Sequence, residues 1–175
     1  MRDRGIREER GQATVEFAIV IPLVMLLILG IIEFSKAFNY WITLNHLSSE
    51  GARWAAVDKV PGNPTPDRLS IKNYLLDQIN TQDLRDKVDP KNPNTGLSID
   101  PNHCNIKLTV AGSGPGGAAE IGDPVTVTVA APGYSLASLG ESFLGDFGKI
   151  TLSGKSTMRL EQVPTWANAP DLCPA

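Results

Sequence analysis

Residues 11–34 read Gly-Gln-Ala-Thr-Val-Glu-Phe-Ala-Ile-Val-Ile-Pro-Leu-Val-Met-Leu-Leu-Ile-Leu-Gly-Ile-Ile-Glu-Phe. No charge lies between Glu16 and Glu33, and Ala13, Thr14 and Val15 extend the apolar window to residues 13–32. As a helix this window is about 30 Å long, the thickness of a bilayer core. Arg2, Arg4, Arg7 and Arg10 precede it, whereas the first basic residues after it are Lys36 and Arg53. That asymmetry predicts a cytoplasmic amino terminus and an exported remainder. No small-residue cleavage site of the ordinary signal-peptide kind follows Ile32, so the chain is expected to run on as helix.

Two residues interrupt the apolar pattern. Glu16 lies a turn inside the window, where an unpaired charge is costly, so it is expected to have a partner. Pro22 removes one backbone hydrogen bond and crowds the Ala18 carbonyl. A kink there and a simply tolerated membrane-helix proline fit the sequence equally well.

Working outward, Phe34, Phe38, Trp41, Ile42, Leu44, Leu47, Ala52 and Ala55 recur mostly at spacings of three and four, with Lys36, Asn39 and Glu50 between them. The pattern predicts one helix over residues 12–57, with its transmembrane span at 13–32 and its second half packed on a domain. Pro61-Gly62 marks its end.

The whole chain has 175 residues, with 16 Lys plus Arg, 19 Asp plus Glu and a net charge of −3. This allows one modest domain plus an appendage and offers no basic field for nucleic acid. Cys104 and Cys173 are too few for a zinc cage and too distant for a C-x-x-C redox pair, leaving one disulfide or two free thiols.

Gly11-Gln12-Ala13-Thr14-Val15-Glu16-Phe17, with arginines ahead and an apolar helix behind, resembles the processing site of type IV prepilins. The longer pattern adds Ile21-Pro22-Leu23, Gly30, Glu33-Phe34 and Glu50-Gly51-Ala52-Arg53. It is similar to the TadE-like pseudopilin family of Tad (Flp) pilus systems over about residues 10–57. The resemblance implies a leader at 1–11, cut between Gly11 and Gln12 by a prepilin peptidase. It also implies a minor, priming or tip role, with other pilins, pseudopilins and the inner-membrane assembly platform as partners. Localisation would be the bacterial inner membrane, single-pass, and the assembled pilus is a further possible location.

The proposed cleavage has a physical consequence of its own. It creates an amine at Gln12, about 6 Å along the axis from Glu16. An axially staggered neighbour would then bring its amine to this Glu16, and two charges that are each costly in lipid would neutralise one another in one register only. The bland alternative is that Glu16 snorkels to the cytoplasmic interface. Cleavage also removes four of the 16 basic and three of the 19 acidic side chains, the topogenic arginines among them.

Residues 58–67 read as a linker, rich in Pro, Gly and Asn, ahead of an exported α+β domain at 68–175. Thr65 is expected to cap the next helix, with Pro66 at its first position and Asp67 favourable to its dipole. Leu69, Ile71, Leu75, Leu76 and Ile79 give that helix one buried face, and a partial turn follows over Leu84 to Val88. Asp89 to Asn102 cannot be laid on a calcium-loop pattern and reads as a turn-rich loop. Alternation at Ile106, Leu108 and Val110, at Val125, Val127 and Val129, and at Ile150, Leu152, Met158 and Leu160 predicts a three-stranded antiparallel sheet with one buried face. Gly112 to Asp123 reads as a flexible hairpin connection, since it lacks the lysine and hydroxyl of a phosphate loop. Leu136, Leu139, Phe143 and Phe147 suggest a short helix or compact loop over the sheet. An oxidising exported side makes a structural Cys104–Cys173 disulfide the expected state of the two thiols.

No catalytic constellation is expected, and no metal or cofactor. His46 and Glu50 share a helix face but lack a third ligand of recognisable spacing. His103 adjoins Cys104 in sequence, whereas a Cys-His pair normally comes from separated positions. No nucleophile elbow or dinucleotide glycine pattern is present. The rival from another class is a membrane-tethered extracytoplasmic binding module whose signal anchor stays uncleaved. An exported hydrolase has no positive feature behind it.

Overall fold

In the computed structural model the described residues are 4–63, 67–91, 98, 100, 102–135, 149–168 and 173, with side chains described from Gly11 onward. The chain forms α1 (Arg4–Ala56), α2 (Arg68–Asp77), α3 (Gln82–Val88), β1 (Ile106–Val110), β2 (Pro124–Ser135) and β3 (Lys149–Arg159).

α1 is 53 residues long, about 80 Å, and begins earlier than the predicted residue 12. Arg and Glu, both good helix formers, dominate the stretch ahead of Gly11, so nothing local stops the helix there. It runs through Pro22 without interruption. From Val15 to Ile32 its apolar side chains are exposed, Leu26 at 74%. From Ala37 onward one face turns inward, and Leu44, Ala52 and Ala55 are fully buried.

The expected sheet is present, antiparallel in the order β1-β2-β3. Ile106 pairs with Val129 and Val110 with Val125, while Val127 pairs with Ser156 and Val129 with Gly154. Its inner face buries Ile106, Leu108, Val125, Val127 and Val129, with α1 and α3 packed against the sheet and α2 against α1. β2 is longer than its alternating core. A bulge between Ala131 and Tyr134 carries it on past Pro132, which has no N–H to give the ladder, and Gly133 at φ 67°.

Three local expectations are revised. The cap of α2 is Asp67: its side chain accepts from Ser70 N at 2.8 Å, and Ser70 Oγ returns a contact to Asp67 N at 3.0 Å. Residues 64–66, with the predicted Thr65 cap, lie outside the described residues. The 58–67 segment is also not a free linker at its start, because Asp58 and Val60 are buried. The Gly112–Asp123 connection is ordered rather than flexible. Asp123 accepts from Ser113 N at 2.9 Å, Ser113 Oγ at 2.6 Å and Glu120 N at 2.7 Å. The expected cover at 136–147 lies outside the described residues.

Cys104 and Cys173 form a disulfide. It anchors a carboxyl-terminal segment that wraps the end of α1. Glu161 N donates to the Ala56 carbonyl at 3.0 Å, Thr165 N donates to Asp58 at 3.1 Å, and Trp166 is buried. The last carbonyls of α1, which have no partner within the helix, are satisfied in part by this segment.

Candidate functional site

The site has two parts on one helix. In the first, Gly11 is exposed with nothing within 4 Å of the place a Cβ would occupy, so the Gly11–Gln12 peptide lies open on the helix surface. Gln12 Nε2 donates to Glu16 Oε1 at 3.4 Å, one turn on, and Phe17 is 65% exposed. The fold therefore brings Gln12 and Glu16 to one face and leaves Phe17 bare. Pro22 sits within an apolar surface that contacts no part of the domain. Among the described residues, this is the one helix long and apolar enough to cross a membrane.

The second part is the joint between α1 and the domain. Glu50 Oε1 accepts from the Tyr74 hydroxyl at 3.0 Å and from Trp54 Nε1 at 3.4 Å. Burial first, then the Glu50 carboxylate, pushes the Tyr74 hydroxyl above its ordinary value. Gly51 brings α1 so close to α2 and β2 that an added Cβ would lie 2.8 Å from Leu75 Cδ1 and 3.1 Å from Val127 Cγ1. Ala52 is fully buried, and the Arg53 guanidinium stacks 4.8 Å over the Trp54 ring. Within Glu50-Gly51-Ala52-Arg53 the docking contacts are the carboxylate taken by Tyr74 and the two small residues that permit close approach, while Arg53 stacks on Trp54 of the same helix. His46 is exposed and Glu50 is occupied by Tyr74 and Trp54. Among the described residues no cluster of three or more His, Cys, Asp or Glu is arranged to hold a metal ion.

Nearer the span, the Tyr40 hydroxyl donates to Asp83 Oδ2 at 2.9 Å, and the Tyr40 ring meets Tyr134 edge-on at 5.5 Å. Burial, reinforced by Asp83, raises the Tyr40 hydroxyl to about 12. This clasp joins α1, α3 and β2. Sequence reasoning passed over it because its members are far apart in the chain. It also passed over Gly154, although an isolated glycine in an alternating strand signals close backbone approach.

His103 takes a left-handed backbone, φ 47°, and its Nδ1 lies 3.0 Å from Asp89 Oδ1, both side chains being buried. Ser98 Oγ donates to the same carboxylate oxygen. Asp89 stands between the serine and the imidazole, so the order is not that of a nucleophile activated by histidine. The trio pins the loop before β1.

A long helix with a bare apolar half and a docked half, carrying a small α+β domain on a three-stranded sheet, defines a protein suited to a membrane anchor and to lateral helix packing. Residues 11–53 match the family model described as TadE-like protein. The match ends at Arg53, the last residue of the docking motif, and bears out the resemblance carried by Gly11, Glu16-Phe17 and Glu50–Arg53. The likeness is confined to α1 and leaves the sheet domain unmatched. No curated protein and no solved structure matches the chain significantly.

Proposed function

We propose that the chain is a minor pseudopilin that a prepilin peptidase cuts between Gly11 and Gln12 and that then acts as a structural or priming subunit in Tad pilus assembly. The observation that carries this reading is the division of α1: an apolar half exposed along its whole length, joined to a domain by the motif at which the TadE-like match ends. The span holds the subunit in the inner membrane with its amino terminus cytoplasmic, and the second half of α1 with the domain it carries lies on the far side. Lateral packing with other pilins and pseudopilins covers the apolar surface. The new Gln12 amine of a staggered neighbour meets Glu16 and selects the register.

The test is the intact mass, or amino-terminal sequence, of the protein extracted from membranes of cells with and without their prepilin peptidase. A mature chain beginning at Gln12 only when the peptidase is present is the expected result. Retention of residues 1–11 in both strains would move the reading to a tethered binding module.

A further inference from the structure

The outward face of the sheet has a composition unlike the rest of the chain. Facing α1, β2 and β3 present valines, Leu152, Gly154, Ser156 and Met158; facing away, the same strands carry hydroxyls and cations apart from Pro124 and Ala130. Lys107, Thr128 and Lys155 form one cross-strand row, with Thr128 paired to both lysines. The next row is Thr109, Thr126 and Thr157, in which the Thr126 and Thr157 hydroxyls are 2.8 Å apart. Arg159 closes the series opposite Pro124. No outward position of the three strands carries a carboxylate, in a chain whose acids outnumber its bases 19 to 16.

We propose that this face binds an extended anionic polysaccharide of the uronic-acid class. Lys107 and Lys155 stand two strands apart, about 10 Å, with Thr128 between them. Such a row offers two separated point charges for carboxylates and a donor-acceptor group for the sugar hydroxyls that separate them. Duplex DNA, with a charge every ~1.7 Å of axis, calls for a denser basic surface than this acidic chain supplies. The face carries no aromatic ring on which an unpaired base would stack. It also lacks the aromatic anchors that carry most of the energy in protein interfaces. The inference stands apart from leader cleavage, because the face is the same whether residues 1–11 are retained or removed.

The experiment uses the full chain in neutral detergent micelles, titrated with polygalacturonate, with dextran as the uncharged control and duplex DNA and anionic-lipid vesicles as competing polyanions. Saturable binding of polygalacturonate that weakens with salt is expected. Lys107→Ala/Lys155→Ala should lower affinity about tenfold, the scale of two solvent-screened ion pairs. Thr128→Val should weaken binding, and Lys59→Ala, away from the sheet, should leave it unchanged. Circular dichroism confirms that each variant is folded. Absence of polygalacturonate binding overturns the proposal, as does equal weakening by Lys59→Ala. Tighter binding of DNA or of vesicles through the same lysines overturns the assignment to a glycan.

Discussion

Gly154 of β3 lies directly beneath the backbone of Leu44 on α1: a Cβ at Gly154 would stand 2.3 Å from both the carbonyl carbon and the carbonyl oxygen of Leu44. The three nearest atoms all belong to the helix backbone, which cannot turn aside as a side chain can, so helix and edge strand meet backbone to backbone. The central part of α1 sits on the sheet at this point, and Leu44 buries its whole side chain beside it.

Gly154→Ala should therefore lower the stability of the domain by about 3 kcal/mol, the upper end for overpacking. Gly51→Ala should cost less, about 1 kcal/mol, because the atoms it meets are the ends of the Leu75 and Val127 side chains. Thermal unfolding of the two variants in the same detergent checks the order, and equal losses would show that the helix can lift off the strand freely.

Tyr40 carries a pH dependence at the alkaline end. Its hydroxyl is raised from 10.0 to about 12 by burial and by its bond to Asp83, so the folded state keeps a proton that the unfolded chain releases. This contribution is complete below pH 10 and is lost as pH climbs to about 12. Denaturant unfolding at stepped pH should show that decline in the wild type and a smaller one in Tyr40→Phe.

Asp123 works at the acid end. The Ser113 hydroxyl first, then the Ser113 and Glu120 amides, hold its carboxyl below 3.8. Its contribution is present above that value and disappears as pH falls through the lower folded value. Asp123→Asn should reduce stability at neutral pH and flatten the acid limb of the profile, with Ser113 and Glu120 amide exchange accelerated.

Reduction of Cys104–Cys173, or Cys104→Ser, should cost about 4 kcal/mol for a separation of 69 residues in the chain-entropy account. The loss should be accompanied by proteolytic access after Arg159, since the segment holding Trp166 against the domain loses its distal anchor. Unchanged protease resistance would mean that the Asp58–Thr165 contacts suffice.

Glu16→Ala should leave domain stability and membrane insertion as they are, because Glu16 lies on the bare half of α1 with Gln12, one turn away on the same helix, as its hydrogen-bond partner. Piliation is expected to fall sharply. Wild-type pilus numbers in that variant would remove the charge-pair account of register.

The sequence was sufficient for the long helix, its apolar span and the three strands. Each depends on a period of 3.6 or 2, or on an unbroken apolar run, and those signals are local. The motif residues 50–53 were legible as a pattern but not as a joint, because their partners Tyr74, Leu75 and Val127 come from other elements. The hairpin connection at 112–123 looked flexible on composition, yet a single buried carboxylate organises it, and hydrogen bonds of that kind follow from folded geometry.

The sequence by itself determined which half of α1 is apolar all round, where the charged side chains Glu16, Glu50 and Arg53 stand, and which faces of the strands are apolar. Only the tertiary structure decided that Leu44 rests on Gly154, that Tyr40 reaches Asp83, and that Cys173 returns to Cys104. Those contacts join residues remote in the chain, and their energies depend on distances of a few ångströms that composition and periodicity do not encode.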